Sequence, residues 1–547
     1  MSIFGRILAA ERGTIMVMAA FALTAVMGMT GLAVEVGNGY STKVRNQRVA
    51  DMAALGAAQA YQTSQSTTVA AQVAKDIVAA SGLPTTSPNL VIAAPVQVNG
   101  TSAVQVTITS AVPIRLAQVV QGSSSYNVTS TAAASLASTS VPGCITALSG
   151  AVTNGVSLTG GTHITASGCA VVTNSGVSAT AGTSISAKQV VAGKVVNDEA
   201  AQWGTPGITT TPTANNIKQN KSGAASDTVG ADTRVVAGFA KVGTYTVPTA
   251  PGSGAQAWDF SWSPTGKVAS WWDSSTGTYT VPAGSYNVTS ITMGGNIKVV
   301  VSDGATIRVS GNVSVSGKSI TMGAVTLDIG GQVNVSGGST MTVASGNVAI
   351  GNNGSGNAIN VSGGGTLSFG NGTFSANGDI TSGGGSSISF GATQSHYING
   401  NLSLSGSATF GAGAYYIDGN FTNNTGGTMT GSDVTFFMSG ALTLSGGTAM
   451  NLAAPTSDAG GGVTDLLFAT KSTAQTSLGG GASAVFAGMV YAPNSNMVMD
   501  GGAGATGNGR CFAVVVNTFT MNGGTAAGVA CTSFGGASAS SGVSLLQ

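Results

Sequence analysis

A short unit recurs through the second half of the chain and limits the folds that the chain can adopt. Each copy begins with glycine, continues with alternating polar and apolar residues, and often ends in Ser-Gly, as in GNVSVSG. A single copy is too short to bury its apolar side chains, whereas stacked copies can share one core. The repeat therefore predicts a solenoid. Copies begin, at intervals near 21 residues, at Gly311, Gly331, Gly356, Gly378, Gly400, Gly419 and Gly440.

Alternation inside each copy indicates that the solenoid is a parallel β-helix, so the predicted fold class is mainly β. In the first copy, Val313 and Val315 would face the core and Ser314 the solvent. Glycine at the corners would supply the positive φ of tight turns. The leucine spacing of leucine-rich repeats is absent, and an antiparallel meander remains an alternative.

The charge and composition of the chain argue against nucleic-acid binding and against disorder. Only 7% of the residues are charged and the formal net charge is +1, so no basic surface is available for nucleic acid. The 83 glycines do not indicate disorder, because disordered chains are rich in charge and this chain is 42% hydrophobic. We expect a folded protein without a nucleic-acid partner.

Near the N-terminus lies an uncharged stretch from Gly13 to Val34. As a helix its 22 residues would span roughly 33 Å, enough to cross a membrane. It is longer than the apolar part of a signal peptide, and the nearest Ala-x-Ala, at 58–60, lies far downstream. We expect an uncleaved single-pass anchor that contacts membrane lipid through residues 13–34. Basic residues flank both ends, so charge does not fix the orientation.

Residues 8–62 resemble the N-terminal region of TadE/TadG-like proteins, which belong to Flp pilus, or tight-adherence, assembly systems. The residues that carry the resemblance, besides the apolar span, are Glu11, Arg12, Gly13, Glu35, Gly37, Tyr40 and Asp51. The family more often has aspartate at position 35. A prepilin-peptidase site would need glutamate five residues after Gly5, but Glu11 is the sixth, which argues against pilin-type processing.

The downstream half, including Cys144 and the segment GMVYAPNS, is similar to TadG-like proteins that lack a von Willebrand domain. The resemblance implies a bacterial inner-membrane protein whose partners are other pilus-assembly proteins.

Beyond the span the helix continues with a small-residue surface that permits close helix packing, formed by Ala50, Ala53, Ala54, Ala57 and Ala58. Val69, Val73 and Ile77, four residues apart, then predict a short amphipathic helix that buries these side chains. Alternating runs at 96–98 and 104–108, with Asn99-Gly100 between them, predict a hairpin, and a third strand near 126–131 completes a small pilin-like α+β unit. The predicted parts are the membrane helix and its extension (1–62), the α+β unit (63–140), the first solenoid-like coils (141–198), a tryptophan-containing insertion or cap (199–279), the parallel β-helix (280–535) and a flexible tail (536–547).

Four cysteines predict two disulfides rather than a zinc site, since the chain has no Cys-x-x-Cys and only two histidines. Cys511 and Cys531 are 20 residues apart, close to one coil, and stacked positions lie about 4.8 Å apart, within disulfide range. The same logic pairs Cys144 with Cys169. Disulfides imply an oxidising compartment, so the bulk of the chain is expected to be periplasmic or extracellular.

No catalytic residue, metal site or cofactor is predicted. A polysaccharide-active β-helix enzyme would need carboxylates that converge with Arg, Lys or calcium. The aspartates of the solenoid are isolated in sequence, at Asp303, Asp328, Asp379, Asp418, Asp433, Asp458, Asp465 and Asp500. All five tryptophans lie between 199 and 279, where they could cap the solenoid or stack on a sugar or partner. The predicted role is structural, and a surface adhesin or a polysaccharide-active enzyme are the alternatives.

Overall fold

The computed structural model divides the chain into two compact units. Unit 1 comprises residues 1–140 and 541–547, and unit 2 comprises 141–540. The structure describes residues 11–64, 66–98, 101–115, 123–136, 141–202, 207–210, 216–221, 223–246, 256–352, 354–393, 395–424, 426–447, 449–458, 460–481, 483–531, 534 and 545–546.

The described helices are α1 Glu11–Ser64, α2 Thr67–Ala80, α3 Glu199–Gln202, α4 Thr233–Ala240 and a 3-10 helix Gly266–Trp271. The strands up to the first coils are β1 Leu90–Val98, β2 Thr101–Pro113, β3 Ser125–Ser135, β4 Gly143–Ala147, β5 Asn154–Leu158, β6 His163–Thr173, β7 Gly176–Ala179, β8 Ser184–Ala192, β9 Val196–Asp198, β10 Gly207–Thr210 and β11 Ile217–Lys218. The next are β12 Gln256–Phe260, β13 Trp272–Asp273, β14 Thr278–Val281, β15 Ser285–Met293, β16 Lys298–Val301, β17 Thr306–Val309, β18 Val313–Val315, β19 Ser319–Ile329, β20 Val333–Val335, β21 Thr340–Ile350, β22 Asn357–Val361, β23 Thr366–Asn371, β24 Phe374–Ala376, β25 Asp379–Ser382, β26 Ser387–Phe390 and β27 Ser395–Ile398. The last are β28 Leu402–Leu404, β29 Ser407–Phe410, β30 Gly413–Ile417, β31 Phe421–Asn423, β32 Thr428–Gly431, β33 Val434–Met438, β34 Leu442–Leu444, β35 Ala449–Ala453, β36 Leu466–Thr470, β37 Thr476–Leu478, β38 Ser483–Met499, β39 Gly504–Thr506, β40 Phe512–Met521, β41 Thr525–Ala527 and β42 Leu545–Leu546.

Unit 1 is an antiparallel sheet in the order β1-β2-β3-β42 with α1 and α2 packed on it. The predicted helix and three strands are present; the turn at 99–100 lies outside the described residues. In the segment predicted as a tail, Leu545–Leu546 pairs with Ala133 and Ala134 of β3.

The buried face of α2 differs from the expected one. Val69 is 44% exposed, whereas Ala70, Ala74 and Val78 are buried. This face packs against α1, whose contact surface also consists of alanines. The two helices therefore bury small side chains between them. The valine spacing predicted the helix but placed its contact face one residue too early.

Unit 2 is a parallel β-helix, as the repeat predicted, and each coil has three faces. In one coil, β18 lies on face A, the first half of β19 on face B and its second half on face C. β18 pairs in register with β20 of the next coil, Val313 opposite Val333. β19 pairs with β21 along both halves. The sequence repeat is the face A strand together with the glycine turn before it.

Packing inside the coils follows the alternation. Val313 and Val315 are buried and Ser314 between them is partly exposed. Aromatic side chains also stack from coil to coil: the ring centroids of Tyr415 and Phe436 lie 4.9 Å apart. Each inward column therefore forms a continuous apolar ladder, which is how short strands share one core.

Glycine serves two purposes at the corners. Gly337 and Gly338 have positive φ, as predicted for tight turns. Gly400 and Gly419, which begin repeats, lie outside that region. A Cβ on Gly400 would lie 2.5 Å from the carbonyl carbon of Gly378 in the preceding coil. At these positions glycine is needed because stacked backbones approach too closely for any side chain.

The order of coils along the solenoid is not the order of the sequence. The first coils, from β4 to β11, stack on the last coil rather than before β12. Ile145 of β4 lies opposite Val514 of β40, and Val156 of β5 lies opposite Phe519. The chain therefore begins the solenoid near one end, leaves it, and starts again at the other end.

The described residues 219–221 and 223–246, here called the strap, follow β11 in the chain and lie across the outside of the coils. Its contacts, in chain order, are Ala225 with Asn174, Asp227 with Tyr491, Phe239 with Phe437 and Tyr245 with Tyr397. Because successive strap residues meet successively earlier coils, the strap runs back along the solenoid toward β12.

Candidate membrane anchor and interaction site

The N-terminal half of α1 exposes a long run of apolar side chains. Among the described residues α1 is the helix long and apolar enough to cross a membrane, over Met18–Tyr61. The following side chains are each more than half exposed: Met18, Phe21, Leu23, Val26, Met27, Met29, Leu32, Val34 and Val36. Such a run is typical of contact with lipid rather than water. It overlaps the predicted anchor, 13–34.

Glu35 marks the point where α1 passes from exposure to packing. Its carboxylate oxygen Oε1 accepts a hydrogen bond from the backbone N–H of Arg115 at 2.9 Å. Its carbonyl oxygen accepts one from the hydroxyl of Tyr126 at 3.0 Å. A Cβ on Gly39 would collide with that hydroxyl. Gly39 therefore gives Tyr126 access to the helix backbone, and Glu35 ties α1 to the end of β2.

Further along α1, polar side chains bond to the sheet. Asn46 is fully buried; its amide nitrogen donates to the carbonyl of Val128 at 3.2 Å, and its oxygen accepts from the hydroxyl of Ser110 at 3.1 Å. The amide of Gln47 donates to the carbonyl of Thr131 at 3.3 Å. These bonds fix the rotation of α1 about its own axis relative to the sheet.

Past this polar section, α1 packs through small residues. Ala50, Ala54 and Ala57 have no exposed surface. A Cβ on Gly56 would lie 2.5 Å from Cδ1 of Ile77 on α2. The small-residue surface predicted for this helix is therefore present, and its partner is α2.

The residues of the sequence motif are not brought to one place. Glu11, Arg12 and Gly13 form the first turn of α1, with side chains outside the described set. Tyr40 is 71% exposed, and a Cβ on Gly37 would meet open space. Asp51 accepts a hydrogen bond from Gln47 at 2.9 Å. Of these residues, Glu35 makes a contact between helix and sheet. Sequence reasoning missed Gly39, Asn46 and Tyr126, because nothing local distinguishes them.

Both predicted disulfides are present in unit 2. Cys144 pairs with Cys169, and their Cα atoms are 5.7 Å apart. They lie on the neighbouring parallel strands β4 and β6, where Gly143 is opposite Ala170. The stacking argument is confirmed for this pair.

Cys511 pairs with Cys531, at a Cα separation of 4.9 Å, for a different reason. Phe512 and Val529 form an antiparallel bridge, with hydrogen bonds in both directions. The chain therefore turns back on itself after β41. The pairing was predicted correctly, but the reason, one residue stacked on the next coil, was wrong here.

Acidic side chains do not converge among the described residues, which contain no cluster of three or more His, Cys, Asp or Glu. Asp273 accepts hydrogen bonds from the backbone and hydroxyl of Ser275, as in an ordinary surface turn. Asp458 accepts from Thr464, and this lowers its pKa. A general acid at neutral pH needs the opposite shift.

A cavity of about 170 Å³ lies between the strap and the coils. Arg234 at its wall donates to Asp232 and Asp458, at 2.7 and 3.2 Å. The Arg234 guanidinium lowers the pKa of Asp232 by hydrogen bonding. These charges are paired with one another. We therefore interpret the cavity as a packing defect bordered by ion pairs.

Residues 13–60 match the family model described as "Putative Flp pilus-assembly TadE/G-like". Comparisons with curated proteins and with solved structures gave no match. The family match confirms the resemblance for the N-terminal segment. Together with the exposed apolar helix and the solenoid, it fits a membrane-anchored assembly component.

Proposed function

We propose that the protein is a structural or assembly component of a Flp (tight adherence) pilus system. In this proposal α1 anchors it in the bacterial inner membrane, and the solenoid is exported to contact other pilus proteins. The observation that carries the proposal is that residues 13–60, which match the pilus-assembly family, form one helix with an exposed apolar half and a packed half. Such a helix couples a membrane span rigidly to the domain beyond it.

The disulfides support export of the solenoid. Both cysteine pairs are bonded, and disulfides persist outside the cytoplasm. Alkylation with a thiol reagent of high mass, before and after reduction, tests this in whole-cell lysates. We expect a shift for four thiols after reduction and none before it. Four thiols modified without reduction would place unit 2 in the cytoplasm.

We further propose that the role is not enzymatic. The lowered pKa of Asp458 and the paired charges around Arg234 favour a scaffold over an acid-base site. The exposed faces of the coils are polar and nearly uncharged, which suits a contact surface.

Deletion and complementation in the bacterium that carries the gene test the pilus role. We expect the deletion to abolish assembled pili, measured as pilin sheared from the cell surface. Gly39→Leu should fail to restore them, because the side chain collides with Tyr126. Gly37→Leu, two residues away on the open side, is the matched control and should restore them at equal protein level. Normal pili in the deletion strain, with loss of adherence alone, would instead support a surface adhesin.

A further inference from the structure

Trp262 is not explained by the capping of the solenoid. At the end where β12 begins, Trp258, Phe260 and Val268 are at most 3% exposed and close the core. Trp271 and Trp272 pack partly against the same core. Trp262 is 57% exposed. Among the described Phe, Tyr and Trp residues of unit 2, it is the one side chain exposed to solvent. Trp203 lies outside the described residues.

The exposed ring is nevertheless held in place. A Cβ on Gly277 would lie 3.3 Å from the ring, and one on Gly295 would lie 3.4 Å from its Nε1. Both glycines have positive φ, so the chain supplies residues without side chains where the indole lies. Trp272 meets Trp262 edge-on, with ring centroids 5.4 Å apart. The aromatic surface is therefore ordered before any ligand arrives, which lowers the entropy lost on binding.

Polar side chains border this ring. Asp273 pairs with Thr278 across β13 and β14, and Thr278 pairs with Lys298 of β16. Asp273 and Lys298 are exposed. Gly277, which lies against the ring, directly precedes Thr278, and Trp272, which meets the ring, directly precedes Asp273. The strand positions that follow these two neighbours of the ring thus carry a hydroxyl and a carboxylate, and an ammonium group is paired with the first of them. Together these groups offer both donors and acceptors.

We propose that Trp262 is a binding platform for the pyranose ring of a glycan, with Thr278 and Lys298 bonding to its hydroxyl groups. A pyranose presents C–H groups on its face and hydroxyls at its rim, which matches an apolar ring with a polar border. The balanced charges of Asp273 and Lys298 suit a neutral, hydroxyl-rich ligand. A quaternary ammonium would need a cage of aromatic rings, and a protein hot spot would need an apolar, water-excluding surround.

Two sources could supply such a glycan: the glycan strands of the cell wall, or a polysaccharide on a surface to which the cell adheres. Their shared chemistry is a β-linked pyranose chain. Pull-down of the purified full-length protein with peptidoglycan sacculi and, separately, with cellulose distinguishes them. Retention by one material and not the other assigns the source.

Titration of the full-length protein with chitohexaose and with cellohexaose tests the site itself. The detergent must have no sugar headgroup, since that would occupy the platform. We expect at least one oligosaccharide to bind. Trp262→Leu should raise its Kd at least about tenfold, which corresponds to a loss of about 1.4 kcal/mol of binding free energy. Trp262→Tyr, which keeps an aromatic face, should retain most of the affinity. Unchanged thermal unfolding of both variants shows that the fold is intact.

The proposal is overturned by any of three results: no binding of either oligosaccharide at millimolar concentration, equal affinity of Trp262→Leu and the wild type, or equal losses in the Leu and Tyr variants. None of these results bears on pilus assembly through α1, so the two proposals fail separately.

Discussion

The carboxylate of Asp379 accepts a hydrogen bond from the backbone N–H of Asn401, one coil further along the solenoid, at 2.7 Å. Asn401 repeats the contact by accepting from the N–H of Asn420 at 2.9 Å, and Asn420 accepts from Ala441 at 2.8 Å. The residues after Gly378, Gly400 and Gly419 therefore form a column of side-chain acceptors. Each one satisfies an amide that the tight glycine corner leaves unpaired.

This column predicts unequal effects for aspartates that look alike in sequence. Asp379→Ala should lower the free energy of unfolding by about 1 kcal/mol, because the amide of Asn401 loses its partner. Asp379→Asn keeps an acceptor oxygen and should lose less. Asp418→Ala is the control, since Asp418 is exposed, and its effect should stay within about 0.5 kcal/mol. Denaturant unfolding of the solubilised chain measures the effect of all three substitutions. Equal effects of Asp379→Ala and Asp418→Ala would contradict a stabilising role for the column of acceptors.

The β-helix could be predicted because period-2 alternation and a constant repeat length are local properties. Val313 faces inward for reasons contained in its own coil. The stacking of β4 on β40 could not be predicted, because Ile145 and Val514 are joined by a contact that no repeat spacing encodes. Parallel coils carry similar edges, so sequence alone does not say which edge meets which.

Two glycines of α1 should respond in opposite directions to alanine. Gly37→Ala meets open space and should stabilise the helix by up to about 1 kcal/mol, as glycine is the poorer helix former. Gly39→Ala places a methyl group against the Tyr126 hydroxyl and should destabilise unit 1. Thermal unfolding in detergent, followed at the unit 1 transition, gives both signs. A stabilising Gly39→Ala would mean that Tyr126 does not lie on the helix.

Gly37 and Gly39 also show why the contact between α1 and the sheet was only partly predicted from the sequence. Glu35 stands out in sequence as a charge at the end of an apolar run, and it does join helix to sheet. Gly37 belongs to the sequence motif and Gly39 does not, and only the approach of Tyr126, 87 residues after Gly39, shows that Gly39 is the one that must stay small. The packing of α1 on the sheet brings these two residues together, and no local sequence pattern indicates that contact.

His396 makes the solenoid sensitive to acid. Its ring stacks on Tyr415, with centroids 3.9 Å apart, and burial lowers its pKa to about 4 from 6.5. The unfolded chain binds this proton near pH 6.5 and the folded chain only near pH 4. Its contribution to stability is therefore fully present above about pH 6.5 and is lost as the pH falls toward 4.

His396→Phe preserves the stack and cannot be protonated. Relative to this variant, the wild type should lose up to about 3 kcal/mol between pH 7 and pH 4. Unfolding free energies of both proteins at several pH values give the difference, and other acid-sensitive groups cancel in it. Parallel pH curves for the two proteins would show that His396 does not titrate in this range.

A crosslink tests the order of coils along the solenoid. Ser157 of β5 lies opposite Thr520 of β40, although the two are 363 residues apart in sequence. Their outward positions should be about one strand spacing apart, near 4.8 Å. The double variant Ser157→Cys with Thr520→Cys should therefore react with a thiol crosslinker of similar reach, and peptide mapping should recover the linked pair.

The matched control places the first cysteine on a coil further out. Asn197 of β9 pairs with Ser178, which in turn pairs with Ser157, so Asn197 lies three strand spacings from Thr520, about 14 Å. Asn197→Cys with Thr520→Cys should not be linked by the same reagent. If the first coils instead stacked before β12, neither pair would be linked. Linkage of both pairs would mean that the terminal coils slide out of register. The experiment therefore tests the stacking of β5 on β40 and no other part of the solenoid.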